Sequence, residues 1–596
     1  MRSLFAVLVA ALFSVPVFAE PAKEADRRYP KILKPGEHGV GRLAPDIAFT
    51  DVNGKTGKVS DFKDKKAVVI AVTSTSCPKS LKFAPTLARH EKAYREKGVA
   101  FIFVNAVATD EPADIEKAIA EHGFTGPYIH DKDGAFSKAI GALTTTDTIV
   151  LDPARTIVYH GAVDDQYGSG YTLDEPRHRY LIPALDALLA GKSIAIPATE
   201  AAGCDLDLEP AKSTSALTYH NQVERLVQAH CIECHRKGGV APFSLETYKD
   251  VVAHAGQIKK EVDRGTMPPW FAAAPAKGPT PWLNDRTLTA TEKGDMLAWL
   301  KGDKAEGNVA EAPRPRTFDE GWQIGKPDAI IRPTKPVKVK AEGTMPYQNV
   351  MAESNFDEDK WIQALEVRPS AKQVVHHVLV FVLPPEKKGE RPNLLDGIAR
   401  NEGQGYYAIY VPGNSTLVYG EGFGKRFPKG SKVRFQIHYT PNGTATEDTT
   451  ELGLIFAKEK PKYEVRVAGI VNTWFQIPPG ADNHAASSLL PVPFDAKIIA
   501  LLPHMHLRGK AFRFEAKAPG GKNETLLDVP HYDFNWQLRY EFAEPRPVPK
   551  GSMLFATGWF DNSDKNPANP DATKTVKWGP QTFDEMMLGY VEYYIP

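Results

Sequence analysis

Several groups of side chains in this sequence are spaced for redox chemistry. Cys231-Ile232-Glu233-Cys234-His235 is a CxxCH string. Two thiols at that spacing add across the two vinyl groups of a haem, and the adjacent imidazole ligates the iron. A methionine as sixth ligand raises the reduction potential and suits electron transfer. Met267, in Thr266-Met267-Pro268-Pro269-Trp270, is the favoured candidate, with His254 as its rival and Met296 reading as core. Further along, His504-Met505-His506 places two imidazoles on one face of a strand, because residues two apart project to the same side. With Met586 they make two nitrogens and a soft thioether, a donor set suited to copper cycling between Cu(I) and Cu(II); zinc does not ordinarily recruit a thioether. His376-His377 and His438 are a second histidine group. Neighbours on a regular strand face opposite ways, so joint ligation by His376 and His377 needs a distorted strand or a strand end. Cys77, just before a helical pattern, would sit at a helix N-terminus, where the dipole lowers a thiol pKa.

Positioning these groups takes several domains. A chain of 596 residues corresponds to about four domains at roughly 150 residues each. With 42% hydrophobic and 24% charged residues it is globular, not disordered. Lys+Arg and Asp+Glu both number 73, so no basic excess points to nucleic acid. Four cysteines, Cys77, Cys204, Cys231 and Cys234, exclude a disulfide-dense scaffold. The opening MRSLFAVLVAALFSVPVFAE has a basic start, an apolar core and a small-residue cleavage site, which reads as a secretory signal peptide over 1–19. No later apolar run is long enough for a transmembrane segment, so a periplasmic, exported protein is expected.

The texture then changes along the chain. AVVIAVTST, LKFAPTLARHEKAYREKG and VAFIFVNAV alternate strand, helix and strand, and TIVLD and TIVYHGAV follow, which predicts a parallel α/β sheet. Residues 191–217, rich in Ala, Pro, Thr and Ser, read as a linker, and 218–302 as mostly helical. Thr289 with Glu292 makes a capping box ahead of GDMLAWLKG. After a second polar linker at 303–316, short β patterns run to the end, among them QVVHHVLVFVL, KVRFQIHYT, AKIIALLPHMH and KAFRFEAKA.

Three resemblances give these segments families. HHVLVF, QIHY, HMHLRGK and DEMMLGYVEYY, in that order, resemble the copper type II ascorbate-dependent monooxygenases, the peptidylglycine alpha-hydroxylating and dopamine beta-monooxygenase group, over about residues 320–596. The resemblance implies two antiparallel β-sandwiches, one copper on each, facing across a cleft. His376, His377 and His438 would hold an electron-storing copper. His504, His506 and Met586 would hold the copper that binds dioxygen, and so are the candidate catalytic residues. Leu502 and Leu588 depart from the peptide-hydroxylating enzyme, which has an Arg and an Asn there; that Arg helps to hold the peptide carboxylate, so the grip on a peptide C-terminus is missing. Residues 42–190, with LAPDIAFTDVNGK and TSTSCPKS, resemble thioredoxin-like redoxins. Ser80 replaces the second cysteine of their CxxC, and Thr145-Thr146-Asp147 fills the loop that normally carries a cis-proline. Cys204 is then the only thiol free to pair with Cys77; a possible redox thiol pair and a scaffold with a vestigial or disulfide-bound Cys77 both remain open. The CxxCH segment is similar to a small cytochrome c domain.

The expected chain is therefore multidomain: a signal peptide at 1–19, a thioredoxin-like α/β redoxin domain at 35–195, a small all-α cytochrome c-like domain at 205–305, and antiparallel β-sandwich domains at 317–470 and 471–596. The expected cofactors are two copper ions and one covalent heme c, the latter held by Cys231, Cys234, His235 and Met267. The expected function is copper-dependent hydroxylation of a substrate C–H bond. Its partners would be dioxygen, an organic or peptide substrate and an electron donor, with electrons passing through the fused haem. A non-enzymatic copper or haem electron-transfer protein, and a thiol oxidoreductase with accessory metal domains, are the alternatives.

Overall fold

Seven apolar or β-branched residues, Ala67–Thr73, are buried on both faces and form strand β1. Pro78 then starts helix α1 (Pro78–Arg95), with Cys77 as the residue just before it; proline suits the first helical position because its missing N–H would go unpaired there anyway. Strands β2 (Val99–Asn105), β3 (Tyr128–His130), β4 (Thr148–Leu151) and β5 (Ile157–Gly161) complete a sheet in the order β3-β2-β1-β4-β5. Structure is described for residues 29–208, 217–275, 278–318, 321–385 and 405–596 of this computed structural model. The expected signal peptide lies outside them. No helix among the described residues is long and apolar enough to cross a membrane.

The sheet is mixed, which corrects the expected parallel arrangement. β1 runs parallel to β2, and β2 to β3, but β4 is antiparallel to both β1 and β5. Between β4 and β5 the chain reverses in a tight turn, with Arg155 at φ 65 and its N–H bonded to Asp152 O. Strands joined by so short a turn can only run antiparallel. Both faces of the sheet are covered, so each strand reads as a continuous apolar run whichever way it points.

The expected linker at 191–217 is partly structured. Ala198 bridges His160, and Asp205 bridges Thr144, so the chain pairs with the redoxin-like domain twice before leaving it. Helices α2 (Glu224–His230), α3 (Tyr248–Ala253), α4 (Ala255–Arg264) and α5 (Ala290–Lys301) follow. They share a small core of Tyr219, Leu226, Val251, Val262, Met296 and Trp299. Thr289 caps α5: its hydroxyl accepts from Glu292 N–H while Glu292 accepts from Thr289 N–H.

The rest is β. In the first sandwich β6 (Gln348–Glu353), β7 (Lys360–Arg368), β8 (Val375–Leu383), β9 (Ala408–Tyr410), β10 (Phe423–Phe427), β11 (Lys432–Tyr439) and β12 (Glu451–Phe456) form two sheets, one ordered β6-β11-β8-β9 and one containing β12-β7-β10. Val378, Val380 and Phe435 meet Ile362, Leu365 and Leu454 between them. In the second, β13 (Arg466–Asn472), β14 (His484–Pro491), β15 (Ala496–His504), β16 (Gly509–Lys517), β17 (Asn523–Val529), β18 (Tyr540–Val548), β19 (Met553–Phe560) and β20 (Met587–Tyr594) form sheets β13-β20-β15-β18 and β14-β19-β16-β17. β13 pairs with β20, so this sandwich takes in residues from 466, ahead of the expected boundary at 471.

Strand alternation splits the apolar residues between core and interface. In β8, Val378 and Val380 enter the first core, while Leu379 and Phe381 face the other way. They pack against Leu502, Leu588 and Tyr590 of the second sandwich. One apolar layer thus joins the two sandwiches.

Candidate redox centres

His376 and His377 open β8, and His438 lies on its neighbour β11, where His377 is paired with it directly. A β-bulge falls between Val375 and His377. A bulge turns a side chain out of strict alternation, which is how two sequence neighbours reach one point. The Nδ1 atoms of His376 and His377 are 2.9 Å apart, and that of His438 is 3.2 Å from His376. Metal–nitrogen bonds of about 2.0–2.1 Å put ligand nitrogens about 3 Å apart, so the three rings fit one ion. Burial pushes all three imidazoles down, His376 to about 3 and the other two well below the usual value. They stay neutral, the form that ligates a metal.

The HxH pair sits at the end of β15. His504 Nδ1 donates to Gln537 Oε1 at 2.5 Å, and His506 Nδ1 to the Asp584 carbonyl at 3.3 Å. Each ring therefore keeps Nε2 for a ligand, and His506 Nε2 has no hydrogen-bond partner. The buried Glu585 carboxylate accepts the backbone N–H groups of His506 (2.9 Å) and Arg508 (2.6 Å), tying the HxH turn to the residue before Met586. β15 and β20 pair His504 with Leu588; Met586, two residues before Leu588, continues the His504 face. Met505 faces the opposite way, fully buried in the sandwich core against Gly558, where a Cβ would stand 2.9 Å from its sulfur.

Both groups share one enclosed compartment. The His377 and His504 ring centroids are 6.0 Å apart. Tyr347 lies edge-on to His377 (5.5 Å), His438 (4.9 Å) and His506 (5.7 Å). Phe534 stacks on His376 at 4.9 Å and meets His506 at 6.4 Å. Leu502 and Leu588 are buried in the apolar layer between the sandwiches, beside this compartment.

Cys231, Cys234, His235 and Met267 line a single cavity of about 1240 Å³. Its other walls come from Lys79, Lys82 and Cys204 on the redoxin-like side, from Val375 and His376 of the first sandwich, and from Tyr532, Asp533 and Trp536 of the second. His235 Nδ1 donates to the Phe243 carbonyl at 3.1 Å, leaving Nε2 free. The rival ligand His254 has both nitrogens engaged, Nδ1 with the Asp250 carbonyl and Nε2 near Ser76 Oγ, and is stacked on Phe243. Two thiols, a free imidazole nitrogen and a thioether lining one cavity are a donor set of the kind that would hold a covalently attached porphyrin. The chain beyond Met267 is anchored to the second sandwich: Trp270 meets Tyr540 edge-on at 4.9 Å, and Ala273 N–H donates to Asp528 O.

Cys77 is buried at the start of α1, and its sulfur lies 2.9 Å from that of Cys204. Ser80, in the place of a second motif cysteine, donates instead to the Thr145 carbonyl. Sequence reasoning missed Gln537, Glu585, Tyr347 and Phe534. Glu585 adjoins Met586 and was open to suspicion for that reason; Gln537 is 33 residues from the histidine it orients and carries no local signal.

Comparison with known proteins agrees with two of these segments. A family model described as Redoxin matches residues 39–175, and one described as Copper type II ascorbate-dependent monooxygenase, C-terminal domain, matches 478–596. DBH-like monooxygenase protein 1 of Gallus gallus is 25% identical over 258 residues, covering 38% of this chain and 40% of its own. Thiol-disulfide oxidoreductase ResA of Bacillus thuringiensis subsp. konkukian is 28% identical over 119 residues, covering 20% of this chain and 67% of its own. A hypothetical protein from Sinorhizobium meliloti 1021, of known structure, is 26% identical, covers 30% of this chain and 97% of its own, and superposes with a TM-score of 0.27. The chain spans about 40% of the length of the Gallus gallus monooxygenase it matches. These matches support an oxidoreductase with a copper monooxygenase-like part and a thioredoxin-like part.

Proposed function

We propose that this chain is an exported, periplasmic copper-dependent monooxygenase that inserts one oxygen atom of dioxygen into a C–H bond of an organic substrate. The observation that carries the reading is the meeting of five neutral histidines, three from one sandwich with their Nδ1 atoms converging and two from the other with His506 Nε2 left without a partner. His376, His377 and His438 would hold one copper, and His504, His506 and Met586 the other. Bound copper supplies dioxygen binding and one-electron chemistry.

The chain's own residues do the rest. Gln537 and the Asp584 carbonyl fix the ring orientation of His504 and His506 by accepting from Nδ1, as groups outside a metal's ligands commonly do. Glu585 holds the HxH turn through two backbone N–H groups. Tyr347 and Phe534 pack against the imidazoles and exclude water.

Hydroxylation of RH by dioxygen to ROH and water consumes two electrons and two protons. We assign the electron relay to a heme c that Cys231 and Cys234 would hold covalently, with His235 and Met267 as the residues that would bind its iron. Of the six proposed copper ligands, His376 alone lines the same cavity as Cys231 and Cys234.

Metabolite extracts from a deletion strain, incubated with the purified, copper-loaded protein, a reductant and ¹⁸O₂, test the reading by mass spectrometry. A product heavier by one ¹⁸O atom is expected, absent with His504→Ala. Reductant-driven oxygen uptake without any labelled product would instead leave an electron-transfer protein. One observation favours that second reading: His377, His438, His504 and His506 are buried and lie off the large cavity.

A further inference from the structure

The CPKS turn lacks its own second thiol, and a later part of the chain brings one to it. The segment from Gly203 to Leu206 runs antiparallel to Leu143–Thr145. Thr145 N–H donates to Cys204 O at 3.0 Å, Leu206 N–H to Leu143 O at 2.9 Å, and Cys204 N–H to the Thr145 hydroxyl at 2.9 Å. Adding a strand in this way is how extended peptides dock on sheet edges and loops; here the chain docks on itself. Gly203 makes the approach possible, because a Cβ there would stand 2.6 Å from Thr146 N. The result is a Cys77–Cys204 sulfur separation of 2.9 Å across 127 residues of sequence.

The same segment is gripped from its other side by the helical module. Asp205 N–H donates to Gln257 at 2.9 Å, and the Asp205 carboxylate pairs with Lys260 at 2.5 Å. Asp207 pairs with Lys259 at 3.7 Å and Lys304 at 3.0 Å. Cys204 thus stands where the redoxin-like sheet and the helical module meet, and it also lines the large cavity.

We propose that Cys77 and Cys204 form a two-cysteine redox centre, closed within the chain, that exchanges an electron pair with external dithiols and disulfides and, when oxidised, pins the helical module to the redoxin-like domain. The inference stands apart from the copper reading. In the reducing direction one sulfur of an external dithiol attacks Cys204 Sγ, the sulfur on the cavity wall. The Cys77–Cys204 bond breaks and Cys77 leaves as a thiolate. The second sulfur of the dithiol then attacks the first, releasing Cys204, which takes up a proton. The external dithiol is oxidised to a disulfide and the protein disulfide is reduced by two electrons; the second proton goes to solvent. The electrostatics suit these roles. Burial pushes the Cys77 thiol up, but hydrogen bonds from the Cys204 thiol, Thr145 and the Ser80 N–H outweigh it and bring it down to about 5, while Cys204 is held well above its usual value. A low-pKa thiol is the better leaving group in exchange.

The full-length protein, equilibrated with excess oxidised dithiothreitol, alkylated and digested without reduction, should yield a Cys77 peptide linked to the Cys204 peptide. Titration against reduced and oxidised dithiothreitol should follow a single two-electron curve, and reduction should lower the melting temperature. Cys204→Ser should abolish the link and make Cys77 alkylatable. Full alkylation of Cys77 after oxidation, or its linkage to Cys231 or Cys234, would overturn the proposal using the unmodified chain alone.

Discussion

The imidazole of His377, on the first sandwich, stands 6.0 Å from that of His504, on the second. Residues 127 positions apart in sequence and on different cores therefore line one compartment, held shut by Leu502 and Leu588 against Leu379 and Phe381. Local change at this contact bears on both histidine groups at once. Leu502→Asp places an unpaired charge in that layer and should cost about 3 kcal/mol or more. Calorimetry should show a lower melting temperature, and copper loading should fall at both groups.

Gln537 orients His504 without being a ligand. Gln537→Leu removes the acceptor for Nδ1–H at nearly constant volume. Copper affinity at the HxH site should drop about 10- to 100-fold, measured by competition with a chelator, while the fold, read by circular dichroism, is retained.

The two methionines near the HxH pair should separate cleanly. X-ray absorption of the Cu(I) protein should show a sulfur neighbour that disappears in Met586→Ala and persists in Met505→Ala. Met505 fills the core beside Gly558, so Met505→Ala should instead cost about 2–5 kcal/mol of stability. A sulfur signal lost with Met505 would reverse the assignment of ligand and core residue.

His160 and Asp147 form a buried pair at 3.1 Å, and Asp147 also accepts from Leu143 N–H and the Thr144 hydroxyl in the loop that meets Cys204. Burial pushes His160 down, but the Asp147 carboxylate outweighs it and the imidazole is raised above its usual value. A raised folded-state pKa gives stability that is fully present below the unfolded value, about 6.5, and is lost as pH rises through the folded value. Chemical denaturation should therefore show stability falling across that window, and His160→Gln should flatten the slope.

The haem reading and the relay are tested by stopped flow. Haem should survive acid–acetone extraction, as covalent attachment requires. Anaerobic, pre-reduced haem should be oxidised by Cu(II) at a rate independent of protein concentration, because a tethered partner stays at roughly millimolar effective concentration. His376→Ala with His377→Ala should remove that phase with the haem intact; a rate that scales with protein concentration would rule out delivery within the chain.

Part of the arrangement was legible in the sequence because it rests on residue type at short spacing. The HxH spacing and the strand-helix-strand pattern around Cys77 are local, and alternation alone separates Met505 from His504 and His506. What could not be read is whatever depends on chain reversal or long-range contact. The turn at Asp152–Arg155 makes β5 antiparallel to β4, and the direction of β4 against β1 is visible only in their pairing, not in its apolar run. The convergence of His376 with His377 depends on a bulge defined only against β11. Gln537 and Glu585 act through the positions of their carboxamide and carboxylate beside groups far away in sequence.

The sequence by itself determined which atoms could bind metal or carry electrons, because donor type and spacing along one strand or turn are covalent facts. Only the tertiary structure decided which of them meet. The closure of the two sandwiches onto one compartment, the cavity shared by four modules, and the approach of Cys77 to Cys204 arise from burying apolar layers and satisfying backbone donors between segments. Those interactions depend on where folding brings surfaces together.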